Sequence, residues 1–304
     1  MEDFDCDAFI ELPIIMGEFI NDYFFRRPGE VIYHYASFEN ALSITGNFVL
    51  TVGGSILFHS RFDTLSDDYE GQGVEECYFE ALEKYCLTHS IDKNIINLLK
   101  GIRPDDTYLY YLTEAPGVDY ACKAKGVAYI CCFSLNGDSK YMWNNYLKGA
   151  KSGFALGYNV TNIKENTNNF FGNGYRHIIQ KVLYSKEDKI KFIYDFLETL
   201  LSKSHNEADI KFYVSNFLNC NKYVFKRPCF SEEQEVRSVI FYPSDEKCNL
   251  ELINNGKTIP FKFDFGTSID KIVYFHNGND TRERFLLSQT HIQNKMIESK
   301  YSKE

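Results

Sequence analysis

Val31-Ile32-Tyr33-His34-Tyr35-Ala36-Ser37 is the stretch around which the rest of the chain is organised. Its β-branched and aromatic residues predict a strand, with Tyr33 and Tyr35 on one face and His34 on the other. Ser37 is a typical helix N-cap, and the apolar residues after it follow at helical spacing. A histidine on a strand that leads into a capped helix is a candidate site residue, although most lone strand histidines serve the structure.

Length and composition bound the class of protein. The 304 residues suffice for one large domain or two small ones, and we expect a single α+β domain over residues 1–304. Hydrophobic residues make up 44% of the chain and aromatic residues 16%, which is ample for a core. The formal charge of -9 argues against a nonspecific hold on a nucleic-acid backbone, although a local basic groove stays possible.

The nine cysteines are scattered and include no CxxC pair, so zinc-ribbon spacing is absent. An odd, dispersed set is typical of a reducing compartment with free, mostly buried thiols. The first residues are acidic rather than basic, and no apolar run reaches the length of a membrane span. We therefore expect a cytoplasmic protein with no structural metal, no disulfide and no membrane partner.

Strand-forming runs alternate with helical patterns along the chain. Amphipathic spacing predicts two helical insertions, near 72–125 and 186–222, and a C-terminal helix at 280–300. Asn255-Gly256 is typical of a tight hairpin turn. The predicted strands lie at 48–52, 55–62, 126–135, 152–158, 178–184, 238–242 and 269–275.

Three polar or aromatic patches have both a structural and a functional interpretation. The loop at 65–71 holds three carboxylates, which helix capping explains at least as well as substrate contact. Trp143 and Tyr146 form an aromatic stripe that core packing explains. In the segment 233–237, Glu235 and Arg237 share one face of a predicted strand, as a solvated edge strand with a weak surface ion pair would also have them.

Several common site signatures are absent from the sequence. No GxGxxG or GxxxxGK[ST] loop occurs, so a dinucleotide-binding Rossmann unit and a P-loop are not indicated. Neither a GxSxG elbow nor an HExxH helix is found, which argues against those hydrolase and zinc-protease sites.

Four patches, taken in order, resemble the bacterial family called domain of unknown function 2971. That family tends to show a His-Tyr-Thr-Ser-like start, an Asn-Asp-Pro-x-Glu-like loop, Cys-Phe-Ser before a Met-Trp-x-x-Tyr helix, and a Glu-x-Glu-x-Arg strand. The resemblance spans roughly residues 31–240 and departs from the pattern at Ala36, Ser66 and Asp68. The matching segments are 33–37, 65–70, 132–134 with 142–146, and 233–237.

The layout of these patches is similar to that of ADP-ribosyltransferases, which hold NAD in a cleft. The resemblance implies split, mostly antiparallel β-sheets around that cleft, with helical insertions. It also implies that NAD is the substrate, that the acceptor is an unknown protein, nucleic acid or small molecule, and that the protein acts as a toxin or a phage-defence effector. It assigns catalysis to Glu235, Glu233 and His34, and NAD binding to His34, Tyr35, Ser37, Ser134, Trp143, Tyr146 and Arg237.

The chemistry of NAD cleavage suits the paired glutamates. Breaking the nicotinamide–ribose bond builds positive charge on the ribose, which a fixed carboxylate at Glu235 would stabilise. Glu233, two residues earlier, would deprotonate the acceptor. We expect His34 and Ser134 to face one cleft with Tyr146 near its mouth, and Glu235 to be so exposed that Glu235→Gln barely changes folding.

Two other functions fit the same residues. A non-catalytic relative would use the cleft to sense a nucleotide or to bind a protein partner. A nuclease would hold a metal ion with Asp67, Glu70 and Glu235, which requires the three carboxylates to lie within a few ångströms of one another.

Overall fold

A computed structural model gives the fold. It describes residues 19, 30–46, 55–65, 71–104, 109–115, 118–124, 126–147, 152–163, 176–204, 206–243, 255–263, 269–276 and 296–302. The predicted strand at 48–52 and the acidic residues Asp67, Asp68 and Glu70 lie outside these ranges.

Strands and helices follow one another with these bounds. The strands are β1 (Val31–Ser37), β2 (Ser55–Arg61), β3 (Leu109–Ala115), β4 (Val118–Ala124), β5 (Gly126–Ser134), β6 (Ser152–Asn159), β7 (Arg176–Lys181), β8 (Glu235–Pro243), β9 (Thr258–Phe263), β10 (Lys271–His276) and β11 (Met296–Glu298). The helices are α1 (Phe38–Gly46), α2 (Val74–Thr88), α3 (Lys93–Gly101), α4 (Lys140–Tyr146), α5 (Lys186–Leu201) and α6 (Glu207–Asn221).

Within the described residues, the main sheet has nine strands and is forked. Its central strand is β5, which pairs with β8 along its whole length on one edge. The other edge is shared, because β1 pairs with it at Ser134 while β2 pairs with it at Tyr129 and Ile130. From the fork, β1 leads on to β6, β10 and β11, and β2 leads on to β9. The part of the chain that the structure describes thus forms a mixed α/β fold around an open sheet.

Most strand pairs in this sheet are antiparallel. The pair of β10 and β11 is parallel. Among the described strands, β7 pairs with β8 alone, on the side of β5 opposite the fork. The hairpin of β3 and β4 stands apart as a two-stranded sheet. The expectation of a mostly antiparallel α+β arrangement is confirmed.

The two faces of the sheet pack against different parts of the chain. Phe133 and Cys131 of β5 lie in the large core, to which α2, α3, α5 and α6 contribute their apolar faces. Ala128 and Ile130 of the same strand lie on the opposite face, because strand side chains alternate. There they meet the end of α6 and the turn after it, and α4 packs farther along against Tyr35.

The predicted helical insertions differ from each other in content. The one near 186–222 holds α5 and α6, whereas the one near 72–125 holds α2 and α3 followed by the hairpin of β3 and β4. The second half of that insertion is therefore not helical. The aromatic and β-branched residues of Leu109–Ala115 are strand formers, but Pro and Asp around them weaken the alternating pattern.

The C-terminal prediction also needs correction. Residues 296–298, expected at the end of a helix over 280–300, form β11 and pair with β10. Pairing with an existing sheet edge outweighs a weak helical propensity. The rest of that predicted helix, up to residue 295, lies outside the described residues.

Local signals in the sequence match the structure at two turns. Ser37 caps α1, because the Asn40 N–H donates to its Oγ at 3.3 Å. Asn255 and Gly256 take the positive φ angles, 57° and 79°, that a tight hairpin turn needs.

Of the helices described here, none combines the length and apolar character that crossing a bilayer requires.

Candidate active site at the start of strand β8

Glu233 and Glu235 flank a sharp change in backbone direction. Glu233 ends the 3-10 turn Pro228–Glu233, and Glu235 begins β8. Between them, Gln234 adopts the left-handed conformation, with φ 44° and ψ 49°. Two residues in a regular strand would stand about 7 Å apart on one face. The left-handed residue instead turns the chain so that both carboxylates meet at one cation.

That cation is the ammonium of Lys226, seven residues upstream of Glu233. Its Nζ donates to Glu233 Oε2 at 2.6 Å and to Glu235 Oε2 at 2.9 Å. It also lies 4.8 Å from the centre of the Phe230 ring, within cation–π range. All three charged side chains are buried: Lys226 and Glu233 are 6% exposed and Glu235 is 3% exposed.

Arg237 closes the network from the strand side. Its Nε donates to Glu235 Oε1 at 2.8 Å and its Nη2 to Glu235 Oε2 at 3.1 Å, a two-point pairing. Its Nη1 donates to the Tyr223 carbonyl at 2.6 Å. The Arg237 side chain is completely buried. Arg237 therefore fixes the Glu235 carboxylate in one orientation.

The environment pushes the pKa values of the two glutamates in opposite directions. Burial raises the pKa of Glu233, and the charge of Glu235 adds to this effect while Lys226 opposes it. Burial alone would raise the pKa of Glu235, but Arg237 and Lys226 outweigh it and lower that pKa to about 2. Glu235 is thus a permanent carboxylate at neutral pH, and Glu233 is the partner better placed to exchange a proton.

Three further side chains contact this pair of glutamates. Tyr146, at the end of α4, lies beside Glu233 and is 38% exposed, so its ring is the solvent-facing side chain at the pair. The Tyr184 hydroxyl accepts from the Glu235 N–H at 2.9 Å. The Cys132 thiol lies next to the Glu235 carboxylate, and burial followed by the charge of Glu235 raises the pKa of Cys132, which keeps the thiol protonated.

Ser134 acts on the backbone of this site. Its Oγ donates to the Glu233 carbonyl at 2.7 Å and accepts from the Asn136 N–H at 3.1 Å. Ser134 pairs with Glu235 in the register of β5 and β8. The side chain therefore helps to hold the turn at Glu233 and is itself completely buried.

His34 lies on the other face of the sheet, which corrects the expectation that it shares a cleft with Ser134. Its ring meets Phe133 edge-on at 5.9 Å, in the large core. Its Nδ1 donates to the Cys132 carbonyl at 2.9 Å, across the fork between β1 and β2. The reason is alternation: Tyr33, not His34, is the β1 residue in register with Ser134.

Tyr35, Ser37 and Trp143 lie away from the glutamate pair. The Tyr35 hydroxyl donates to the Asn136 carbonyl at 2.7 Å, and Ser37 caps α1. Trp143 is buried, stacks on Phe275 at 5.2 Å, and donates from Nε1 to Asp138 Oδ1 at 2.8 Å. Of the residues assigned to NAD binding, the structure brings Ser134, Tyr146 and Arg237 to the glutamates and places the other four elsewhere.

The exposure expected for Glu235 is wrong. β8 lies between β5 and β7, so it is not an edge strand, and Glu235 is buried. The ion pair with Arg237 is accordingly an interior one, whose loss carries a large desolvation cost. This burial removes the reason for expecting that Glu235→Gln barely changes folding.

The sequence patterns do not single out Lys226. The residue lies in a Lys-Arg-Pro run that resembles an exposed basic turn, and Arg227 beside it is indeed exposed. A signal was present in the charge balance: two glutamates that enter a buried strand with one arginine need a second cation. Which nearby lysine supplies it depends on the course of the turn, and that is a property of the folded chain.

A second polar cluster lies on the His34 face of the sheet, opposite the face that carries Glu235 and Arg237. The Ser238 hydroxyl lies 2.8 Å from His59 Nε2 and 2.7 Å from His177 Nε2, so one hydroxyl joins histidines from β2 and β7. Burial lowers the pKa of His34 and of His59, and the neighbouring His177 lowers that of His59 further. The His34 and His59 imidazoles are therefore neutral at neutral pH.

Besides the glutamate pair, the described ranges hold cysteines and other possible metal ligands. Six cysteines in these ranges are free thiols, namely Cys77, Cys86, Cys131, Cys132, Cys220 and Cys229. Within the same ranges, no group of three His, Cys, Asp or Glu side chains is placed to hold a metal ion. The metal site considered for Asp67, Glu70 and Glu235 depends on residues outside the described part of the chain.

Comparison with known proteins bears on one part of the chain. Residues 142–238 match the family model described as "Protein of unknown function (DUF2971)". No curated protein and no solved structure matches the chain. The matched segment runs from α4 to β8; it contains Tyr146, Lys226 and the two glutamates, and it excludes His34. Over this segment, about a third of the chain, the protein is similar to the DUF2971 family of proteins of unknown function, as the sequence patches indicated.

Proposed function

We propose that the protein is an ADP-ribosyltransferase-like enzyme that cleaves the nicotinamide–ribose bond of NAD and transfers ADP-ribose to an acceptor. The observation that carries the proposal is the glutamate pair, in which one carboxylate is held ionised and its neighbour has a raised pKa. Two carboxylates with pKa values pushed apart are the arrangement used to cleave glycosidic bonds. The forked, mostly antiparallel sheet is compatible with this function.

The proposed roles follow from the charges. Glu235 stabilises the positive charge that develops on the ribose as the bond to nicotinamide breaks and the electron pair leaves with the ring nitrogen. The acceptor then forms a bond to the same ribose carbon. Glu233 takes the proton that the acceptor loses, for which its raised pKa makes it the better base of the pair.

The neighbouring residues have supporting roles in this proposal. Tyr146 is the solvent-facing aromatic ring at the pair, so it is the contact proposed for the nicotinamide end of NAD. Arg237 orients Glu235 and does not contact NAD. Ser134 holds the Glu233 backbone. His34 has no role in this site, because it lies on the opposite face of the sheet.

The pairing of all four buried charges favours a second candidate function. Glu233, Glu235, Lys226 and Arg237 neutralise one another, so the network also suits a non-catalytic relative that binds a nucleotide or a protein partner beside Tyr146. The two candidates differ in one observable. An enzyme releases free nicotinamide, whereas a sensor binds NAD and leaves it whole.

The test is release of nicotinamide from NAD by purified protein, followed by chromatography. We expect Glu233→Gln to lower the rate about 100-fold or more, as for loss of a general base. Glu232→Gln is the matched control, since Glu232 is exposed and one residue away; its rate should equal that of the native chain. Binding of NAD without any nicotinamide release would support the sensor and reject the enzyme.

A further inference from the structure

The position of Lys226 at the centre of the glutamate pair has a consequence beyond charge balance. Two carboxylates this close repel each other, and without a cation one of them takes up a proton or the pair moves apart. The Lys226 ammonium is within hydrogen-bond distance of both, and the Phe230 ring covers another side of it. Among the contacts described here, Lys226 joins both carboxylates whereas Arg237 holds Glu235, so the approach of the two carboxylates to each other depends on the Lys226 ammonium.

The backbone of Lys226 is itself fixed from two directions. Its N–H donates to the Leu183 carbonyl at 3.2 Å, and its carbonyl accepts from Lys189 Nζ at 2.7 Å. Leu183 follows β7 and Lys189 belongs to α5, so the site is tied to the helical layer as well as to the sheet. These two backbone contacts fix where the Lys226 side chain begins, so they restrict the position of its ammonium beside the carboxylates.

We infer that Lys226 is a positioning residue of this site, whose ammonium brings the Glu233 and Glu235 carboxylates to one point and keeps Glu233 ready to accept a proton. The catalytic part of this inference rests on the proposed function. The structural part, a buried position shaped for a primary ammonium, rests on the contacts alone.

Chemical rescue tests the inference directly. Lys226→Ala removes three carbons and the ammonium, and n-propylammonium supplies the same atoms as a free ion. We expect Lys226→Ala to lower the thermal midpoint and to shift the acidic limb of the pH–rate profile upward. Each unit of that shift means about a tenfold loss of nicotinamide release below the limb. Added n-propylammonium should restore both the thermal midpoint and the position of the limb.

Three controls separate positioning from general effects. Tetramethylammonium carries the charge without N–H donors, and n-propanol has the length without the charge, so neither should rescue Lys226→Ala. Lys189→Ala removes a neighbouring half-buried ammonium that donates to a carbonyl instead of a carboxylate. We expect n-propylammonium to leave the thermal midpoint of that variant unchanged.

The outcomes are distinguishable from those of the proposed function. If the native chain releases no nicotinamide, the proposed activity fails, while the thermal midpoint still decides whether an ammonium is required at this point. If Lys226→Ala does not fold, refolding it with n-propylammonium or with tetramethylammonium gives the same comparison. Equal rescue by both ions, or no rescue by n-propylammonium, would overturn the inference.

Discussion

At the scale of single residues, Glu235 is held by contacts on several sides. It is buried, paired with two cations, and bonded through its N–H to Tyr184. Glu235→Gln leaves Arg237 and Lys226 with one negative charge fewer inside the protein, so we expect a loss of about 3–5 kcal/mol of unfolding free energy. Urea denaturation of Glu235→Gln and of the exposed control Glu232→Gln measures the difference. Equal stability of the two variants would contradict the buried network.

A substitution at Gln234 is expected to raise the free energy of unfolding instead of lowering it. A side chain in the left-handed region costs a residue with a Cβ roughly 1–2 kcal/mol, and glycine avoids most of that cost. We expect Gln234→Gly to stabilise the protein by about 0.5–1 kcal/mol after the extra entropy of the unfolded glycine is subtracted. Gln234→Ala keeps the Cβ and should show no such gain, so denaturation of both variants isolates the backbone effect.

At the scale of elements, the glycines of β6 are required by close neighbours within the protein. A Cβ at Gly153 would overlap the Leu147 side chain and lie 2.8 Å from the Ala36 carbonyl. We expect Gly153→Ala to destabilise by about 1–3 kcal/mol, because both neighbours are packed. Gly101→Ala is the control, since nothing lies within 4 Å of the added Cβ there. A thermal midpoint of Gly153→Ala equal to that of Gly101→Ala would reject this packing.

Sequence patterns predicted elements well where the signal is local. The strand at 31–37 with its Ser37 cap, the central strand at 126–134 and the helix at 186–201 all follow from periodicity and capping. The hairpin of β3 and β4 and the strand β11 did not, because their strand state depends on a partner elsewhere in the chain. Pairing partners are long-range facts that local periodicity does not contain.

The site was predictable only in part, because its local spacing is visible in the sequence and its long-range contacts are not. The spacing of Glu233, Glu235 and Arg237 marked the right strand, but their burial depends on β7 and the turn at 222–224 covering them. The face on which His34 lies depends on register, and a shift of one residue reverses it. Lys226 joined the glutamates through the course of a turn that no residue type in the sequence specifies.

At the scale of the whole molecule, the buried histidines make the free energy of unfolding depend on pH. His59 and His34 have folded pKa values below the ordinary 6.5. The neutral rings contribute their full stability above pH 6.5, and it is lost as pH falls below that value, since the unfolded chain then binds protons that the folded chain does not. We expect unfolding free energy to drop between pH 7 and 5, by about 1.4 kcal/mol per unit of pKa difference.

A variant at the cluster checks the source of this dependence. His59→Gln retains a side chain that can bond to the Ser238 hydroxyl and removes one titrating group, so its loss of stability between pH 7 and 5 should be smaller. Glu235 does not interfere, because its lowered pKa acts only as pH falls from about 4.5 toward 2. An unchanged slope in His59→Gln would assign the pH dependence to other groups.

The order of the strands also decides what happens while the protein is being made. β1 ends at Ser37, but its partners β5 and β6 begin only at Gly126 and Ser152. A ribosome that adds about 5–20 residues per second needs roughly 4–18 s to reach the first of these partners. Throughout that interval, the aromatic, β-branched stretch at 31–37 is part of a nascent chain with no strand to receive it. During this time the nascent chain exposes the segment around which the folded sheet is built. An exposed apolar strand of this kind is the type of segment that holding chaperones bind.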